Sequence, residues 1–169
     1  MSEAVIERDP LKDTALNIWW LDVDTTPDTE TATWQAVNGI YDFQGAVKSD
    51  TSDFGDFNSG DWTDEQVTKR SWSLEFKIWR KKASTGTAYD PGQEFLRAHD
   101  GQTVRIRYYE MPGDGTATGM PRVEAYTGTA SVAWADDGGK KDDGRSVSVT
   151  LSGKGGRATI AHPNPNKSV

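Results

Sequence analysis

The sequence predicts a mainly β, antiparallel fold: a β-sandwich or barrel with one short flanking α-helix and a long inter-strand loop. Three observations predict it. Apolar and polar residues alternate over several short stretches, so each strand has one dry and one wet face, as an antiparallel sheet requires. Turn residues punctuate those stretches. Only one segment carries helix-start chemistry.

Taken in order, residues 16–24 place Leu16, Ile18 and Trp20 at alternate positions, a strand pattern. Residues 33–38 suit a second strand, ended by Asn38-Gly39, a strong turn signal. Residues 41–66 are rich in Asp, Ser and Gly with isolated Phe43, Phe54, Phe57 and Trp62, and read as one long loop. Loops of that length inside compact domains are usually functional or disordered, and the aromatics argue that this one packs on something. Residues 71–79 form the clearest strand: Trp72, Leu74, Phe76 and Ile78 face one way, and Ser71, Ser73, Glu75 and Lys77 the other. Asp90 suits a helix cap, Pro91 the first helical position and Gln93 a capping-box partner, so a helix spans about 91–99 and Gly101 ends it. In 103–110, Val104, Ile106 and Tyr108 share one face; Arg105, Arg107 and Tyr109 share the other. Met111-Pro-Gly-Asp-Gly115 is a turn. Residues 122–134 are one or two strands with Gly128 as a bulge. A turn-rich connection at 136–144 leads to alternating Val147, Val149 and Leu151. Residues 1–155 thus form a single β domain, and 156–169 add a last short strand near 157–161 and a flexible tail.

A length of 169 residues fits one domain. Leu, Ile, Val and Phe supply only 28 residues, 17 %, and the net charge is −7, a combination that leans toward disorder. The 7 Trp and 5 Tyr argue back, because each buries a large area. No apolar run reaches a membrane span of roughly 18 residues, and the acidic start is unlike a signal peptide. Without cysteine there is no disulfide, thiolate metal site or Cys nucleophile. A pI of about 4.8 argues against duplex binding through a basic surface. The charge is uneven. Residues 1–30 are net −6, 41–66 net −6, 67–112 net +4 and 113–169 net +1. Solvated loops explain this, and so does an acidic arm of one copy docking on a basic surface of the next.

Catalytic chemistry is not legible. His99 suits a helix C-terminus, and nothing ties either it or His162 to a serine and a carboxylate. Asp50, Asp53 and Asp56 lack the every-second-position ligands and closing Glu of a calcium loop. Gly153-Lys-Gly-Gly-Arg157 has the wrong spacing for a phosphate loop. Core packing accounts for most of the tryptophans. No cofactor is implied.

Ordered pieces of the chain resemble the major tail proteins, or tail tube proteins, of long-tailed bacteriophages. They are Trp34-Gln-Ala-Val-Asn-Gly-Ile40, Ser52-Asp-Phe-Gly-Asp56 with Trp62, Thr68-Lys-Arg-Ser-Trp-Ser-Leu-Glu-Phe76, Asp90-Pro-Gly-Gln93, Glu124-Ala-Tyr-Thr-Gly-Thr-Ala130 and Val147-Ser-Val-Thr-Leu-Ser-Gly153. The resemblance spans about residues 30–155. It implies a non-enzymatic virion subunit, made in the host bacterial cytoplasm, whose hexameric rings stack into a tube that conducts the genome. DNA would pass through the lumen without specific binding. Tape measure, tail terminator and distal tail proteins would be further partners. Residues 41–66 become the inter-ring arm, with Asp50, Asp53, Phe54, Asp56, Phe57 and Trp62 as contacts, and the helix flanks the sheets outside the lumen. Burial of those aromatics between subunits would make a thin core tolerable. Lys77, Arg105 and Arg107 mark a polar strand face, inter-subunit or lumen-facing. Family lumens tend to be acidic, so either that face lies elsewhere or neighbouring acids offset it. The alternative reading is a carbohydrate-binding β-sandwich module using Trp and Asp.

Overall fold

β-Branched and aromatic residues at alternate positions favour a pleated, half-buried surface, and the strands form where they recur. The structure, a computed structural model, describes residues 18–82, 86–111 and 123–163. Seven strands and one helix follow in order: β1 (Ile18–Asp24), β2 (Trp34–Val37), β3 (Ile40–Asp53), β4 (Glu65–Trp79), α1 (Pro91–Ala98), β5 (Thr103–Met111), β6 (Ala125–Asp136) and β7 (Ser146–Thr159). All pair antiparallel in a single sheet of order β2-β1-β5-β6-β7-β4-β3.

That sheet curls. Trp19 of β1 stacks on Phe43 of β3, ring centroids 5.4 Å apart, although four strands separate them in the sheet order. The expected mainly β, antiparallel fold with a short helix is therefore present, in its barrel form: one sheet wrapped round its own core. Leu74, Phe76 and Ile78 of β4 meet Val104, Ile106 and Tyr108 of β5 and Val147, Val149 and Leu151 of β7 inside it.

Four readings need correction. First, residues 41–66 are not one loop. Residues 41–53 belong to β3 and 65–66 to β4, which leaves 54–64 as the loop of a long hairpin. Second, β1 packs in the opposite phase: Trp19, Leu21 and Val23 join the main core, while Trp20 joins a small cluster on the outer face with Tyr109, Met111, Ala125 and Ile160. Third, the separate last strand is the far end of β7, which continues to Thr159. Fourth, chain order past Thr159 persists through Pro163, since Ile160 N–H donates to Ala125 C=O at 3.0 Å and His162 Nε2 lies 2.7 Å from Glu110 C=O. The turn at 112–115 and the end of the tail lie outside the described residues. The bulge at Gly128 is present, as a register shift between Thr127 and Thr129.

The helix forms as expected. Asp90 Oδ2 accepts from Gln93 N–H at 3.2 Å, closing the N-terminus. The same carboxylate accepts from Asn38 Nδ2 at 2.7 Å, which ties the cap to the β2–β3 turn. Gly92 lies so close to β2 that a Cβ there would come 2.2 Å from Ala36 C=O.

Candidate functional site

β4 pairs with β7 only from Ser73 to Trp79, yet its pairing with β3 runs on to Asp53 opposite Glu65. The distal half of the β3–β4 hairpin therefore overhangs the sheet, and residues 65–71 of β4 have a neighbour on one side only. Both faces of this arm are wet. Cross-strand pairs hold it: Asp50 opposes Lys69, and Thr68 Oγ1 donates to Asp50 C=O at 3.3 Å.

The tip brings the predicted arm residues together. Asp53 Oδ1 accepts from Gly55 N–H at 2.8 Å and Asp64 N–H at 3.1 Å, so it spans the loop mouth. Asp56 Oδ1 accepts from Asn58 N–H at 2.9 Å, and Asp56 N–H donates to Ser59 Oγ at 3.0 Å. These two aspartates shape turns. Phe54, Phe57 and Trp62 are thereby held out in solvent, Phe57 and Trp62 at 108 % and 86 % exposure. The other six tryptophans are buried or half-buried within the chain.

The second predicted group separates. Arg105 and Arg107 sit together on the outer face of β5. Lys77 lies on β4, with β6 and β7 between them. Arg107 Nε donates to Asp22 Oδ2 at 2.7 Å, and Tyr109 O–H donates to the same oxygen at 3.2 Å. Arg107 also covers the Trp34 ring at 4.7 Å. Arg105 approaches Asp24 Oδ2 at 3.9 Å. Asp24 is fully buried, and its Oδ1 accepts from Thr26 N–H and Thr33 N–H. Acids of the neighbouring strand thus offset both arginines. Sequence reading passed over Asp22 and Asp24 as partners because only the β1–β5 register places them there. Lys77 stands in register between Asp42 of β3 and Ser148 of β7 instead, and the Asp137 carboxyl is held below its usual range first by hydroxyl donation from Ser148 and Ser146.

A third group was not anticipated. Gln93, buried in α1, donates Nε2 to Asn38 C=O at 2.6 Å and Trp79 C=O at 3.1 Å, and accepts from Arg80 at 3.1 Å. Arg80 is buried, bonds Glu94 through its other amino group, and stacks over Tyr89 at 3.8 Å. Hydrogen bonds from Arg97 and then Arg80 hold the Glu94 carboxyl below its ordinary value. The group clamps the helix to the sheet. Both histidines also make structural contacts: His99 stacks on Phe95, and His162 stands edge-on to Tyr109. Among the described residues no cluster of three or more metal-ligating side chains occurs.

No family model and no curated protein sequence matches the chain. Solved structures do. A chain in the tail of an empty gene transfer agent particle, refined helically with C6 symmetry, matches at TM-score 0.60 and 15 % identity, over 84 % of this chain and 95 % of that one. A chain of the SPP1 tail tube matches at 0.60 and 12 %, over 85 % and 77 %. A chain of the anti-feeding prophage baseplate, sixfold symmetrised, matches at 0.57 and 9 %, over 90 % and 98 %. At these identities the likeness is one of fold. The fold is that of phage tail tube proteins, and the resemblance read from the sequence holds at that level.

Proposed function

We propose that this chain is a structural subunit of a bacteriophage tail tube, resident in the virion, whose hexameric rings stack into a hollow conduit for genome delivery. The observation that carries this reading is the overhanging hairpin with three bare aromatic side chains at its tip. A monomer has no use for an arm wet on both faces and tipped with Phe and Trp; exposed apolar groups of this kind mark contact surfaces. The unpaired outer edge of β3 supports ring formation, because an open edge is an aggregation hazard that ring closure removes. The fold likeness to parts of assembled tails and a baseplate supports it further.

In this reading the chain is not an enzyme, and its partners are its own copies and other tail proteins such as the tape measure, terminator and distal tail components. DNA passes without specific binding, and the pairing of Arg105 and Arg107 with Asp24 and Asp22 suits a surface that does not hold phosphate. Size-exclusion chromatography followed by negative-stain microscopy tests the proposal. Rings or tubes are expected. A species that stays monomeric at high concentration sinks it.

A further inference from the structure

β7 parts from β4 after Ser152 and turns aside through Gly153-Lys-Gly-Gly-Arg157, with Gly155 at φ +77°. The divergence opens a notch of about 220 Å³, lined by Val47, Arg70, Ser71, Trp72 and Arg157 with the glycine backbone between them. Val47 and Trp72 supply its apolar lining, and Arg70 and Arg157 its basic lining. Arg70 makes no ion pair with any described residue; Arg157 donates to the Tyr108 hydroxyl oxygen at 2.7 Å and lies over Tyr126 at 3.9 Å, which leaves Arg70 as the main cation offered to a docking carboxylate. Lys154 stands close by in sequence and adds positive charge, whereas Lys69 opposes Asp50 across the hairpin.

We propose that this notch receives the hairpin tip of a second copy, with Trp62 as the anchor. The inference rests on the tube reading above and names the receiving surface for the arm. Three properties match. The tip segment 53–64 carries four aspartates and no cation, opposite a notch lined by arginines. Trp62 is 86 % exposed and sits between Asp61 and Asp64, so a buried indole would bring a carboxylate close to Arg70. About 150 Å³ holds a benzene ring in a protein cavity, so 220 Å³ admits an indole edge. Arginine above that indole adds cation–π attraction. Tip and notch lie at different heights on one arm. Glu65 to Ser71 is six strand residues, roughly 20 Å. Passed on from each copy to the next rather than exchanged within a pair, the contact is heterologous and links many copies.

The chain has no cysteine, so a cross-link is unambiguous. Thr63→Cys and Ser71→Cys in one chain leave Trp62 and all the named charges in place. Within one molecule the pair is too far apart for a disulfide, which needs Cα atoms under about 7 Å. Oxidised assemblies should give a ladder of linked multimers, at least about fivefold more than a Gly138→Cys, Ser71→Cys control. Adding Trp62→Ala should bring the ladder to the control level. Tubes that form normally with no ladder above control, or a ladder indifferent to Trp62→Ala, overturn the inference and leave the tube reading standing. A wild-type chain that makes no assembly overturns both. Duplex DNA retained by the wild type and released by Arg70→Glu, without cross-linking, assigns the notch to phosphate and also overturns it.

Discussion

Glycine matters most where Trp72 lies flat across two strands. A Cβ on Gly153 would sit 2.3 Å from Trp72 Cε2, and one on Gly128 would sit 2.6 Å from its Cζ2. The indole fills that space and donates Nε1 to Gly155 C=O at 2.9 Å. Gly153→Val should cost about 1–3 kcal/mol in denaturant unfolding, because the ring must leave its seat. Gly156→Ala, which meets nothing within 4 Å, should be near neutral. Tyr126 makes a second prediction. Burial first, and then its hydrogen bond to Glu124, push its hydroxyl up to about 12. The neutral phenol is favoured in the fold over the unfolded chain, where it titrates near 10. Its stabilising contribution is complete below about pH 10 and is lost as pH rises toward 12. Tyr126→Phe should flatten the alkaline limb of a stability–pH curve, and an unchanged limb would contradict the assignment.

At the scale of elements, legibility followed burial. The core half of β4, residues 71–79, and β5 are legible because Trp72, Leu74, Phe76, Val104, Ile106 and Tyr108 alternate against a core. The distal hairpin was misread because neither of its faces is buried: residues 47–53 and 65–71 alternate nothing against nothing, and periodicity reports burial rather than strand geometry. The far end of β7 is hidden for a related reason: Gly153 lies under the Trp72 ring, while Gly155 at φ +77° and Gly156 face open space, so the three together look like a loop. The exposure of the tip aromatics is legible because Phe54, Phe57 and Trp62 stand isolated among Asp, Ser and Gly and share no alternating core face. The arginine partners Asp22 and Asp24 were not, since pairing across strands is a property of register. The helix was legible from its cap, yet its docking was hidden in Gln93. Gln93→Ala should remove the side-chain donor of the Asn38 carbonyl and one partner each of the Trp79 carbonyl and Arg80, and destabilise by about 1–3 kcal/mol. The Glu94 carboxyl, lowered by Arg97 and Arg80, stabilises the docked helix above its unfolded value near 4.5, and that stability drains as pH falls through the lower folded one. Glu94→Gln should therefore show a shallower acid limb than the wild type in thermal melts.

For the whole molecule, the thin apolar composition and the charge map have one explanation. Much of the surface that lacks a partner inside the chain is gathered on one arm. Residues 41–66 carry net −6 and three bare aromatics, while 67–112 carry net +4. Attraction between exposed charges is screened as the Debye length shrinks from about 10 Å at 0.1 M salt to about 3 Å at 1 M. Assembly followed by light scattering should slow across that range, and a salt-independent rate would leave the apolar tip as the sole driver. The decisive variant removes the arm in register. Deleting 48–62 alone would strand half of β4 without its partner, whereas replacing 51–68 by Asn-Gly joins Asp50 to Lys69 through a two-residue hairpin turn. In the ladder the lost residues pair only with one another and touch no core side chain; beyond the Thr68 Oγ1 bond to Asp50 C=O little is lost, so the denaturant midpoint of the remaining domain should move little. Under the proposed tube assembly, ring contacts made elsewhere on the sheet should survive and stacking should fail, giving single rings by microscopy in place of the tubes expected of the wild type. Tubes of normal length from this variant would show that the arm is not what joins one ring to the next.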